Sequence, residues 1–156
     1  MILMNSKANI LVDESGRARL TDFGLIHITQ GDNSIRSPQD PAMANATWAA
    51  PEILKGGAAT KEGDIFTFAM VAVEVCTRGV SMDVSQTTSI SQTFTGHAPF
   101  AMNYQTGLYE IMDGKRPKRP ENLNHDGLWS LIRRCWDQDP GMRPNTSEIL
   151  ESFKSL

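Results

Sequence analysis

Asn9 and Asp22 are the residues of this chain whose types and spacing could hold a metal ion. Asn9-Ile10-Leu11-Val12-Asp13 and Arg17-Ala18-Arg19-Leu20-Thr21 are short apolar runs, and Glu14-Ser15-Gly16 between them has a turn composition. The pattern predicts a β-hairpin whose two ends bring the Asn9 amide oxygen and the Asp22 carboxylate close together. Two hard oxygen ligands from adjacent strand ends suit Mg²⁺, which takes one or two carboxylates and completes its octahedron with water and phosphate oxygens. Gly24 lets the backbone turn sharply after the ligand, and Phe23 anchors that turn in apolar surroundings.

The remaining composition sets the frame for that site. A length of 156 residues allows one domain or part of one. An apolar fraction of 40% supports a core, and no apolar run approaches the length of a membrane-spanning helix. Met1-Ile2-Leu3-Met4 is too short for the core of a signal peptide and has no basic segment before it. A net charge of -3 argues against nucleic acid as the main partner, and nothing points to a membrane. Cys76 and Cys135 fit no metal spacing and are too few for a disulfide framework, so a reducing, cytoplasmic setting is expected.

Most of the chain reads as helix. Asp64 opens the nearly unbroken apolar run from Ile65 to Val75, which predicts a helix buried on most sides with Asp64 as its N-cap. Tyr104 to Met112 predicts a short amphipathic helix that stops at Asp113-Gly114. Lys115-Arg116-Pro117-Lys118-Arg119-Pro120 is basic and proline-rich and reads as a solvated linker. Leu128, Leu131, Ile132, Cys135 and Trp136 recur at helical spacing and spell out a buried face, ended by Asp139-Pro140. After Arg143-Pro144, the stretch Thr146-Ser147-Glu148-Ile149-Leu150 has capping chemistry and then a closing helix.

Four motifs in this order resemble the protein kinase superfamily. N-I-L-V-D-E-S-G-R-A-R-L-T-D-F-G resembles the metal-binding half of a kinase catalytic site, with Thr21-Asp22-Phe23-Gly24 at its end. Ala50-Pro51-Glu52 matches the end of a kinase activation segment, and Asp64 matches the start of the family's central helix. L-I-R-R-C-W-D-Q-D-P-G-M-R-P resembles the end of tyrosine kinase and tyrosine-kinase-like domains, the latter mostly Ser/Thr enzymes. The resemblance implies a mainly α fold: a kinase-like C-lobe fragment over 1–156, starting at the end of the catalytic loop, with a short N-terminal β-hairpin and the small lobe absent. It further implies ATP and Mg²⁺ as cofactors, with Asn9 and Asp22 as the metal ligands. Arg143 is expected to pair with Glu52, and Asp64 to hydrogen-bond the backbone of the catalytic loop. Residues 30–46 then form a loop of the activation segment; Thr29, Ser34 and Ser37 are phosphorylation candidates by composition, and the favoured reading is solvated loop hydroxyls. Trp48 matches the aromatic of that region, while the Thr found three places earlier in many Ser/Thr kinases is here Asn45.

Two departures from the family pattern bear on function. Phe94-Thr95-Gly96-His97-Ala98-Pro99-Phe100 matches the family's exit from the central helix but comes late, which marks 76–93 as a retained intron or a surface insertion. The catalytic loop reads H-R-D-x-x-x-x-N, yet the Asp position counted back from Asn9 holds Met4 and the His position Ile2. Ser6 replaces the usual Lys, although Lys7 is adjacent. Met4 cannot accept the substrate's hydroxyl proton, and no Gly-rich loop or strand Lys precedes the hairpin. The expectation is a fragment of an ATP-dependent protein kinase that is inactive alone; the alternative is a pseudokinase-like interaction module. Upstream coding sequence for H-x-D-L-K favours the first and a genuine start codon at Met1 the second. A protein substrate or partner is implied in either case. A central helix without its usual covering helices also predicts an exposed apolar patch, and a further segment to cover it.

Overall fold

A computed structural model describes residues 10–20, 48–77 and 104–156. Met4, Asn9, Asp22, Phe23, Gly24 and residues 30–46 and 78–100 lie outside the described residues. The hairpin forms where the two apolar runs meet: β1 (Ile10–Val12) pairs antiparallel with β2 (Ala18–Leu20), Ile10 opposite Leu20. The Gly16 N–H donates to the Asp13 carbonyl at 2.8 Å, and Gly16 supplies the positive φ of 78° that the turn requires. Asp13 organises the rest of the turn. Its Oδ1 accepts from the Ser15 hydroxyl at 2.6 Å and from the Ser15 and Arg17 amides at 3.0 Å, and its Oδ2 accepts from Arg19 Nε at 2.9 Å.

The Ser15 hydroxyl first, then the Arg17 amide and Arg19, hold the Asp13 carboxyl down at about 2. Folding lowers this pKa, so the turn gains from the charged form above the ordinary value of 3.8 and loses that gain as pH falls through about 2. Asp13→Ala is expected to open the turn, read as faster hydrogen exchange at the Arg17 amide with the exchange of residues 126–135 unchanged.

Helix α1 (Pro51–Leu54) starts on a proline whose missing N–H costs nothing at that position. It ends in a Schellman motif, with Gly57 N–H to Glu52 O at 2.8 Å and Gly56 N–H to Ile53 O at 2.9 Å. A Cβ at Gly57 would lie 2.7 Å from that Glu52 carbonyl, so this end of α1 accepts only glycine without a shift. The central helix α2 (Lys61–Thr77) begins earlier than the apolar run implies. Thr60, not Asp64, caps it, its hydroxyl accepting from Gly63 N–H at 3.0 Å. Asp64 instead lies in the first turn, where its charge still complements the helix dipole. Cys76 and Thr77, the first residues of the 76–93 segment, are the last residues of α2.

Three further helices complete the described fold: α3 (Tyr104–Met112), α4 (Asp126–Cys135) and α5 (Thr146–Lys154). A single 3-10 turn, Pro140–Met142, lies between α4 and α5. The α4 face read from its spacing is the buried one: Leu131, Ile132, Cys135 and Trp136 are buried and Leu128 half-buried. The cap of α5 is Asn145, one residue before Thr146, in a capping box with Glu148.

Helix α2 packs on α4, α1 on α3 and α5 on α4, with Phe66, Met70, Ile111, Ile132 and Cys135 fully enclosed. Of α2's large apolar side chains, Phe68 alone among the described residues is exposed, at 37%. The Phe153 ring from α5 packs edge-on against it, the ring centres 6.4 Å apart. The apolar patch expected of an uncovered central helix is therefore confined, among the described residues, to Phe68 and its surroundings. No described helix is long and apolar enough to cross a membrane.

Candidate functional site

The described side chains expected to act together are Glu52 and Arg143, and the fold brings them together from opposite ends of the helical region. Arg143 Nη1 donates to Glu52 Oε1 at 2.6 Å and Nη2 to Oε2 at 2.9 Å, a two-pronged charge-assisted contact. The same guanidinium donates to the carbonyls of Glu62 at 2.9 Å and Asp137 at 2.9 Å. One side chain thus ties α1, the first turn of α2 and the end of α4. Burial pushes the Glu52 carboxyl up, but the hydrogen bonds and charge of Arg143, with a backbone hydrogen bond, outweigh it and hold it below its ordinary value.

Arg116 corrects the reading of the basic stretch as a solvated linker. Its Nε donates to Trp136 O at 2.9 Å, its Nη1 to Ile111 O and Lys115 O, and its Nη2 to Gln138 Oε1 at 2.6 Å. The guanidinium carbon lies 4.8 Å from the centre of the Phe66 ring, and that of Arg143 lies 5.1 Å from the same ring. Burial first, then the Arg143 charge, push Arg116 down to about 10, which leaves it cationic at neutral pH. Arg119 is also engaged, donating to Leu123 O at 2.9 Å and Asp126 Oδ1 at 2.6 Å. Composition cannot separate these arginines from solvated ones, because what engages them is a set of carbonyls at the ends of α3 and α4.

The residues just before α1 are held by a second set of contacts. Trp48 Nε1 donates to Glu74 Oε2 at 3.0 Å, with both side chains buried. The Thr67 hydroxyl lies 3.0 Å from Trp48 O and 3.1 Å from Gly63 O, the carbonyls that share its proton. Sequence reasoning passed over Glu74, although a lone acid inside Val71-Ala72-Val73-Glu74-Val75 is a signal in itself. A carboxylate buried in an apolar helix needs a donor. Here it is the indole, which needs an acceptor in turn.

This arrangement fixes position. Its effect is to seat residues 48–52 against α2. Asn9 and Asp22, expected from the sequence to hold a metal ion, lie outside the described residues, next to the hairpin in sequence. Ile10 and Leu20 are paired, so Asn9 directly precedes one partner and Asp22 follows the other by two residues. Asp64 sits half-buried in the first turn of α2. Among the described residues, no group of three His, Cys, Asp or Glu side chains converges on a metal position.

Known proteins align with this sequence along nearly the whole chain. The model of the protein tyrosine and serine/threonine kinase family matches residues 6–153. A probable serine/threonine-protein kinase of Dictyostelium discoideum is 31% identical over 95% of this chain and 14% of its own length. The serine/threonine-protein kinase STY17 of Arabidopsis thaliana is 28% identical over 96% of this chain and 22% of its own length. A protein named for another activity, the receptor-type guanylate cyclase gcy-4 of Caenorhabditis briggsae, is 29% identical over 91% of this chain and 12% of its own length. The chain spans less than a quarter of the length of each of these relatives. Mainly helical, with one two-stranded hairpin and the Glu52–Arg143 tie, the chain belongs to the protein tyrosine and serine/threonine kinase family, as a piece of its helical lobe.

Proposed function

We propose that this chain is part of an ATP-dependent protein kinase that transfers phosphate to protein Ser or Thr side chains. In the complete protein, Asn9 and Asp22 hold Mg²⁺, which neutralises charge on the nucleotide phosphates. The observation that supports this reading is the hairpin: Ile10 pairs with Leu20, and in sequence Asn9 lies one residue before the first and Asp22 two residues after the second. Glu52, Trp48 and their partners support it by holding residues 48–52 on α2, the stretch that ends the expected activation segment. The segment that covers the Phe68 face belongs to the same complete protein. The 156 residues alone do not catalyse transfer, because the position of the proton acceptor holds Met4. Purified chain incubated with ATP, Mg²⁺ and a generic protein substrate should give no transfer above background. Transfer that disappears in Asp22→Asn would overturn this.

The likeness to gcy-4 supports a second reading, a non-catalytic interaction module. A segment of this kind occurs in a protein named for cyclase activity, so likeness here does not by itself entail protein phosphorylation. Coding sequence upstream of Met1 separates the two: H-x-D-L-K before Asn9 favours the kinase, and its absence the module.

A further inference from the structure

One side of α4 carries a run of charged residues that neither the phosphoryl-transfer reading nor the core uses, beside Trp129, which is half-buried against the core. Asp126, Trp129, Ser130, Arg133 and Arg134 form one stripe at helical spacing, and Asp137 continues it past the helix end. With Arg119 from the preceding strap, they line a hollow of about 370 Å³. A second hollow of about 320 Å³ shares Trp129, Arg133 and Asp137 and extends to Arg116 and Pro117. Together they make one groove between the strap and the helix.

Its charges are unevenly satisfied. Arg116 is fully engaged, Arg119 is held by Asp126, and Asp137 accepts from the Asp139 amide. Arg133 and Arg134 are exposed and have no ion-pair partner among the described residues. Between these cations and Asp126 sits Trp129, half-buried, its ring at 5.5 Å and 90° to that of Trp136 and so fixed in orientation. A rigid indole beside two unpaired guanidinium groups is the composition of an interface centre rather than of a solvated helix face.

We infer that this groove docks a short acidic peptide segment of a protein partner, carboxylates on Arg133 and Arg134 and an apolar side chain on Trp129. The stripe is roughly 15 Å long at the helical rise, a span that about five extended residues cover. Asp126 and Asp137 close its two ends, where a continuous phosphate backbone would be repelled but a peptide can place neutral or basic residues. An acidic peptide therefore fits better than a nucleic acid. The inference holds under both readings of the proposed function.

The test is fluorescence anisotropy of a labelled, Glu-rich peptide with a central Leu, titrated with the full 156-residue chain. Saturable binding is expected, weaker at higher salt and weakened by Leu→Gly in the peptide. Arg133→Glu combined with Arg134→Glu should weaken it by about tenfold or more. A peptide with Lys in place of Glu should prefer this reversed variant to the wild type. Lys55→Glu combined with Lys61→Glu, an equal charge change on another surface, should leave binding unchanged. No saturable binding, equal binding by the wild type and the reversed variant, or tighter binding of a single-stranded oligonucleotide than of the peptide would each overturn the inference.

Discussion

Glu52→Ala is expected to destabilise the chain by about 3–5 kcal/mol, because it strands a guanidinium that water cannot reach. The Arg143 side chain is 0% exposed, and once its carboxylate partner is gone it keeps neutral carbonyls and faces the like charge of Arg116 across the Phe66 ring. The opposite truncation should cost less. Arg143→Met leaves a Glu52 carboxylate that is 24% exposed and can hydrate, so the loss is about 2–3 kcal/mol. The double variant strands no charge and should be more stable than Glu52→Ala alone. Urea midpoints of the three variants test this order. The acid limb gives an independent check. Folding lowers the Glu52 pKa, so the pair's contribution is present above its ordinary value of 4.5 and is lost as pH falls through the lowered one. Glu52→Ala should flatten the loss of stability in that window.

Phe66→Ala should cost a similar amount, about 3–5 kcal/mol, from lost burial and the cavity left behind. Phe66 is 0% exposed and is approached by both Arg116 and Arg143, so its ring also separates two like charges. Phe66→Leu keeps most of the volume and removes the ring, and should cost about 1–2 kcal/mol from the lost cation–π contacts and imperfect packing. If Phe66→Leu unfolds as readily as Phe66→Ala, the ring contributes far more than its volume.

The hairpin and the buried face of α4 were legible because each rests on local periodicity. Leu131, Ile132 and Cys135 follow one helical stripe, and Gly16 stands where the turn needs positive φ. The Glu52–Arg143 tie was legible through resemblance, since no local pattern joins residues so far apart in sequence. The start of α2 was misplaced because Asp64 is a good cap residue in isolation, whereas Thr60 reaches the first free N–H groups. Arg116 was misread because its partners are carbonyls of Ile111 and Trp136, which any sequence would offer and only the fold brings near. Arg133, Arg134 and Trp129 belong to the same class. Their juxtaposition with Arg119 depends on how the strap lies along α4.

The central claim is that Asn9 and Asp22 hold the metal of a phosphoryl-transfer site whose substrate-facing segment is seated by Glu52 and Arg143. The most direct measurement is Mg²⁺-dependent phosphate transfer from ATP to protein by the longest encoded protein that carries this chain from Asn9 onward behind H-x-D-L-K, wild type against Asp22→Asn. Transfer that falls by more than about a hundredfold in Asp22→Asn is the predicted result. Transfer at the same rate in both proteins would contradict the account.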